Sequence, residues 1–154
     1  MNKLILGFVA LIIIALGALI LFGANGNSIL GKKAKVTFNK TVVTLDVADN
    51  EQKRETGLSG RNSLNDKQGM LFLFDEPGIP SFWMKGMKFP IDIIFLNNDK
   101  IVTIFKNVPA PATTTEIPNI YYQPTAPADK VIELKAGAAD TYNLHQGDTV
   151  KVSL

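Results

Sequence analysis

The chain has no cysteine, and this excludes a disulfide scaffold, a thiol nucleophile, a thiolate metal site and a lipid attached through sulfur. Stability therefore has to come from packing. The only histidine, His145, has no second imidazole with which to build a His-based metal site, and no pattern around it suggests a serine triad. It lies just before Gly147 and reads as a surface residue in a turn. No glycine-rich phosphate loop is present, because Gly57 and Gly60 end a helix instead of opening one. A dominant charge is missing too: 16 Lys and Arg face 14 Asp and Glu, for a net charge of +2. Nucleic-acid binding would want a clustered basic surface. No internal repeat is visible, and no cofactor or metal is expected.

What the chain does have is an apolar run, Leu4 to Phe22, close to the ~20 residues an α-helix needs to cross a bilayer. Residues 1–23 are expected to be a transmembrane anchor. A cleaved secretory signal competes with it, with Lys3 as the basic start. The run is longer than the roughly 7–15 apolar residues of a signal, however, and Gly23 to Ser28 only loosely resembles a cleavage site. Lys3 on one side nearly balances Lys32, Lys33 and Lys35 on the other. The N-terminal position and the tight flanking by Lys3 favour export. The expectation is a single-pass cell-membrane protein whose domain faces the envelope. Residues 24–34, rich in Gly, Asn and Ser, read as a flexible spacer.

Residues 35–154 are enough for one domain with one core. Val36 and Phe38, then Val43, Leu45 and Val47, alternate with polar residues, the pattern of a hairpin with one buried face. Asp49 with Gln52 three residues on suggests a capped short helix through Arg54 and Thr56, stopped by Gly57. Met70 to Phe74 is a short continuous apolar run that predicts a strand buried on both faces. Further strands are expected at Ser81–Met84, Ile91–Leu96, Ile101–Phe105, Lys130–Leu134 and Thr149–Leu154, with a helical turn near Ala138–Tyr142. Pro109 to Pro127 has no periodicity and must be a long irregular connection, a kind of loop that is often functional. The fold class is all-β: a compact antiparallel sandwich or half-open barrel with one or two short helices, preceded by the N-terminal transmembrane helix.

Several segments occur in an order and spacing that belong together: Gly57-Leu58-Ser59-Gly60-Arg61 with Leu64, Gly69-Met70-Leu71-Phe72, Phe82-Trp83-Met84-Lys85, Pro90-Ile91-Asp92-Ile93-Ile94-Phe95, and Val131-Ile132-Glu133-Leu134 with Gly137 and Gly147-Asp148. Together they resemble the domain-of-unknown-function 192 family, over roughly Val36 to Val152. The resemblance implies a compact β-rich domain with short helices, often behind a signal or anchor, and implies no activity. Where many members read Trp-Met-Lys-Asn-Thr, this chain has Trp83-Met84-Lys85-Gly86-Met87, so no role of that Asn and Thr carries over.

The residues that could do chemistry are few. Trp83 beside Met84 and Lys85 could form a stacking platform for a sugar ring or a cation, or could simply cover the sheet. Asp92 within an apolar strand must be paired or outward-facing, with Arg61 and Lys85 as the nominated partners. Glu133, between Ile132 and Leu134, poses the same choice. Tyr121 and Tyr122 in the long connection could anchor a ligand or pin the loop. Asp75-Glu76 and Asp148 read as turn residues. The ligand-binding candidates are thus Arg61, Trp83, Lys85, Asp92, Tyr121 and Tyr122. The expected role is a non-enzymatic accessory module, tethered through Leu4 to Phe22, that binds an envelope saccharide or a protein partner. An envelope hydrolase using Asp92 and Glu133 on a carbohydrate is the rival. A structural module of a membrane assembly is the third possibility.

Overall fold

The computed structural model describes residues 31–116 and 119–154. The expected anchor and most of the expected spacer lie outside the described residues, among which no helix is long and apolar enough to cross a membrane.

Strands β1 (Lys33–Phe38) and β2 (Thr41–Ala48) form the expected antiparallel hairpin, with Val36 opposite Val43. Asn39 turns it at φ 53°, a left-handed conformation that asparagine tolerates better than most residues. Alternation does what it should: Ala34, Val36 and Phe38 are buried from β1, and Val43, Leu45 and Val47 from β2. Helix α1 (Glu51–Thr56) follows, but its cap is Asn50 and not Asp49. The Asn50 side chain accepts the Lys53 N–H at 3.0 Å, while Asp49 pairs with the Lys53 ammonium at 2.7 Å. Gly57 ends the helix at φ 50°, where a residue without Cβ is least strained.

Strands β3 (Gly69–Gly78), β4 (Ile91–Asn97), β5 (Lys100–Val108), β6 (Ala128–Lys135) and β7 (Lys151–Ser153), with helix α2 (Ala138–Thr141), complete the domain. The sheet order is β5-β4-β6-β3-β2-β1-β7. One pairing departs from the antiparallel expectation: β2 and β3 run parallel. A parallel pair needs a crossover, and α1 with residues 57–68 provides it. The two outer strands come together at one end, where Lys100 bridges Thr149 and Ile101 donates its N–H to the Asp148 carbonyl at 2.9 Å. The sheet is therefore curved into a half-barrel.

Strands β3, β4 and β6 separate two hydrophobic clusters. Leu71, Ile94, Ile132 and Leu134 join the β1–β2 side chains on one face. Met70, Phe72, Ile93, Phe95 and Val131 pack on the other, under Leu58, Met84 and Met87. This explains the near-continuous apolar runs of those strands. Ser81–Met84 is not a strand. Phe82 alone forms a bridge, exchanging backbone hydrogen bonds with Tyr122 at 3.0 and 2.8 Å. That contact ties down the irregular connection, helped by Thr125, whose N–H donates to the Thr103 hydroxyl at 2.9 Å.

Candidate functional site

On the Phe72 face of the sheet, α1, the turn after it, and residues 80–87 leave a cavity of about 770 Å³. That volume lies within the range of small-molecule sites. Its walls are Phe72, Phe74, Phe82, Trp83 and Tyr121, with Arg54, Glu55 and Lys85 bringing charge and Glu133 lining it from β6.

The 83–87 loop owes its shape to two methionines. Met84 and Met87 are buried in the core, so the residues between and beside them are held outward. Gly86 turns the loop at φ 73°. Its carbonyl accepts the Gly60 N–H at 3.0 Å, and the Ser59 hydroxyl donates to the Lys85 carbonyl at 2.8 Å. An Asn at position 86 would suit the same left-handed backbone, so the departure from the family pattern leaves the turn intact. Trp83 is 41% exposed and is not a core residue. Tyr121 stacks on it with ring centroids 6.0 Å apart at 23°. The Lys85 ammonium lies 5.1 Å from the Trp83 ring centroid, a cation–π distance.

Trp83, Lys85 and Tyr121 thus meet at the cavity, and three other nominated residues are employed elsewhere. Tyr122 packs edge-on against Phe105 at 5.2 Å and pins the loop to the sheet. Arg61 donates to Asp46 at 2.7 Å, and Lys33 bonds the same carboxylate. Partial burial pushes the Asp46 carboxyl up, but these two cations outweigh it and hold it below the usual range.

Asp92 corrects its expected pairing with Arg61 or Lys85. It is fully buried and accepts three backbone N–H groups, from Asn107 at 2.7 Å, Gly137 at 3.2 Å and Ala139 at 2.8 Å. The acceptors satisfy donors at the start of α2 and at the left-handed Asn107, so the carboxylate holds the fold together.

Glu133 is the residue whose position was least legible. It is 5% exposed, its Oε2 is buried without a hydrogen-bond partner, and burial pushes its carboxyl up to about 8 against the opposing charge of Arg61. In the β4–β6 register Asp92 lies opposite Leu134 and Glu133 opposite Ile93. Paired residues share a face and neighbours alternate, so the two carboxylates project from opposite faces of the sheet. This is not the arrangement of two carboxylates flanking one glycosidic bond.

Of the residues expected in turns, His145 and Asp148 bracket one, whereas Asp75 and Glu76 do not. His145 is solvent-exposed, and Asp148 accepts its backbone N–H at 2.8 Å. Asp75 and Glu76, expected in a turn, are instead exposed residues of β3, on the stretch where it slips register against β6. Arg54 and Phe74 gave no signal in the sequence as site residues. In the structure the guanidinium lies 5.3 Å from the Phe74 ring centroid and donates to the Leu73 carbonyl at 2.9 Å.

A curved seven-stranded sheet carrying an aromatic-walled cavity with one buried carboxyl defines a small β-rich pocket domain. Residues 34–152 match the domain-of-unknown-function 192 family (DUF192), described as an uncharacterized ACR, and the chain belongs to that family. No curated protein matches it. Among solved structures it is similar to a candidate transcription regulator from Sinorhizobium meliloti 1021, at 26% identity and a TM-score of 0.71, covering 82% of this chain and 98% of that one. It is also similar to a protein of unknown function from Novosphingobium aromaticivorans, at 27% identity and a TM-score of 0.66, covering 77% and 83% of the two chains.

Proposed function

We propose that this is a non-enzymatic binding module that takes a small organic ligand in the cavity between α1, β3 and the 80–87 loop, and that Leu4 to Phe22 tethers it to the cell membrane with the domain facing the envelope. The observation that carries the binding role is the cavity itself. Five aromatic side chains form its walls, and Glu133, a buried acid with one unpartnered oxygen, is among its lining residues. Pockets of this make-up, apolar with few polar groups, are the usual form of a ligand site. The tether rests on the length and uninterrupted apolarity of the N-terminal run. Lys3 close beside it supports the export orientation.

Trp83 is the single tryptophan and lines the cavity, so its fluorescence reports occupancy directly. The full chain in a non-ionic detergent would be titrated with envelope saccharides, peptidoglycan fragments and small aromatic and aliphatic amines, acids and alcohols. A saturable change that is accompanied by a rise in the melting midpoint supports a ligand site. No saturable change with any compound would overturn it and favour a protein partner at the exposed Trp83 and Tyr121.

A further inference from the structure

The chemistry around Glu133 narrows the ligand, provided the cavity is a ligand site as proposed above. Its Oε2 is buried with no donor, and such atoms are rare enough in folded proteins to need an account. The surrounding charged and titratable groups do not supply one. From α1 come Arg54 and Glu55, from the turn beyond it Arg61, from the 83–87 loop Lys85, and from the long connection Tyr121. The register neighbours Met70 on β3 and Ile93 on β4 are apolar. Each cation is already committed: Arg61 to Asp46, Arg54 to the Leu73 carbonyl and the Phe74 face, and Lys85 to the Trp83 face.

We infer that the pocket binds an organic monocation, with an ammonium group against the Glu133 carboxyl and an apolar body along the aromatic walls. A neutral hydroxyl would satisfy the orphaned oxygen, but it would leave the ring faces with apolar contact alone. An ammonium group uses both, because aromatic faces attract cations. The protein's own side chains already do this twice, at Arg54 over Phe74 and at Lys85 over Trp83. Those same two charges border the cavity and oppose every positive charge brought into it, so each charge beyond the one that Glu133 can neutralise adds cost, which disfavours polyamines.

The proton balance follows. Glu133 holds its proton up to about pH 8, so the cation binds as the carboxyl gives that proton to solvent: carboxylic acid plus ammonium yields the carboxylate–ammonium pair and one free proton. Affinity therefore rises with pH by up to roughly ten-fold per unit until the free carboxyl is ionised.

The test compares phenethylamine with its neutral counterpart 2-phenylethanol on the full chain, by Trp83 fluorescence and by calorimetry in two buffers of different ionisation enthalpy. The amine should bind roughly ten-fold more tightly than the alcohol or better at neutral pH. It should release a proton, and its affinity should increase between about pH 6 and 8. Glu133→Gln should abolish the amine's advantage over the alcohol and the proton release that accompanies amine binding, and its melting curve shows whether it folds. The proton release is read on the unsubstituted chain and does not depend on that variant. Equal affinity of the two compounds without proton release would overturn the cation while leaving the pocket as a ligand site. Saturable binding of neither, with none from the wider panel, would remove both.

Discussion

The carboxylate of Asp92 accepts the backbone N–H of Ala139, 47 residues later, at 2.8 Å inside the protein. One side chain at the beginning of β4 thus positions the start of α2, with Gly137 and Asn107 as further donors. Removing it strands three N–H groups at once. Each buried unsatisfied donor costs about 1–3 kcal/mol, so Asp92→Ala should destabilise the domain by roughly 3 kcal/mol or more. Asp92→Asn, which keeps one acceptor oxygen, should cost less. Urea unfolding measures both, and an unchanged midpoint for the alanine variant would show that the three donors are satisfied without the carboxylate.

Glu133 makes a prediction about pH. Its carboxyl titrates from a reference value of 4.5 in the unfolded chain and near 8 in the native state. Between those values the native state holds the extra proton, so stability falls as pH rises through that window, by at most about 1.4 kcal/mol per pH unit. Below about pH 4.5 the contribution is fully present. Glu133→Gln should flatten this part of the profile and should leave the variant the more stable of the two at pH 9. The difference between the two unfolding profiles isolates the residue, and parallel profiles would contradict the buried, partnerless placement.

Gly69 at the start of β3 has no space for a methyl group. A Cβ built there would lie 2.2 Å from the Glu133 carbonyl oxygen and 2.9 Å from Leu134 Cδ2. Backbone cannot swing aside as a side-chain tip does, so Gly69→Ala must push β3 away from β6. A loss of about 3 kcal/mol or more is expected, at the upper end for overpacking. Gly78, with open space around it, is the control. Similar melting points for Gly69→Ala and Gly78→Ala would refute the close strand contact.

The strands and both helices were legible because burial imposes its period on the sequence. Alternation in β1 and β2, and the unbroken apolar run of Met70 to Phe74 in β3, follow from one buried face and two. Three features escaped for identifiable reasons. The apolar tetrapeptide Phe82-Trp83-Met84-Lys85 looks like a strand, yet Met84 and Met87 anchor it as a loop and leave Trp83 exposed. The cap moved from Asp49 to Asn50 because Asp49 had an ammonium partner one turn on, in Lys53. Asp92 and Glu133 looked interchangeable, each a single acid in an apolar strand. Which face each occupies depends on the β4–β6 register, and no local pattern encodes it. The cavity was visible only in part: Trp83, Lys85 and Tyr121 were chosen for their chemistry, whereas Arg54 and Phe74 became neighbours through packing alone.

The placement of β6 between β3 and β4 bears on how the domain is made. β6 is late in the chain and central in the sheet, so during synthesis β3 and β4 must wait for the segment that joins them. Such long-range pairing gives high contact order and slow folding, on the order of milliseconds to seconds. β6 also carries Glu133. A nascent chain released or cut before residue 128 would therefore lack the acid that lines the cavity and would leave an open edge on each strand meant to flank β6, which makes this the interval in which the domain most needs protection from aggregation.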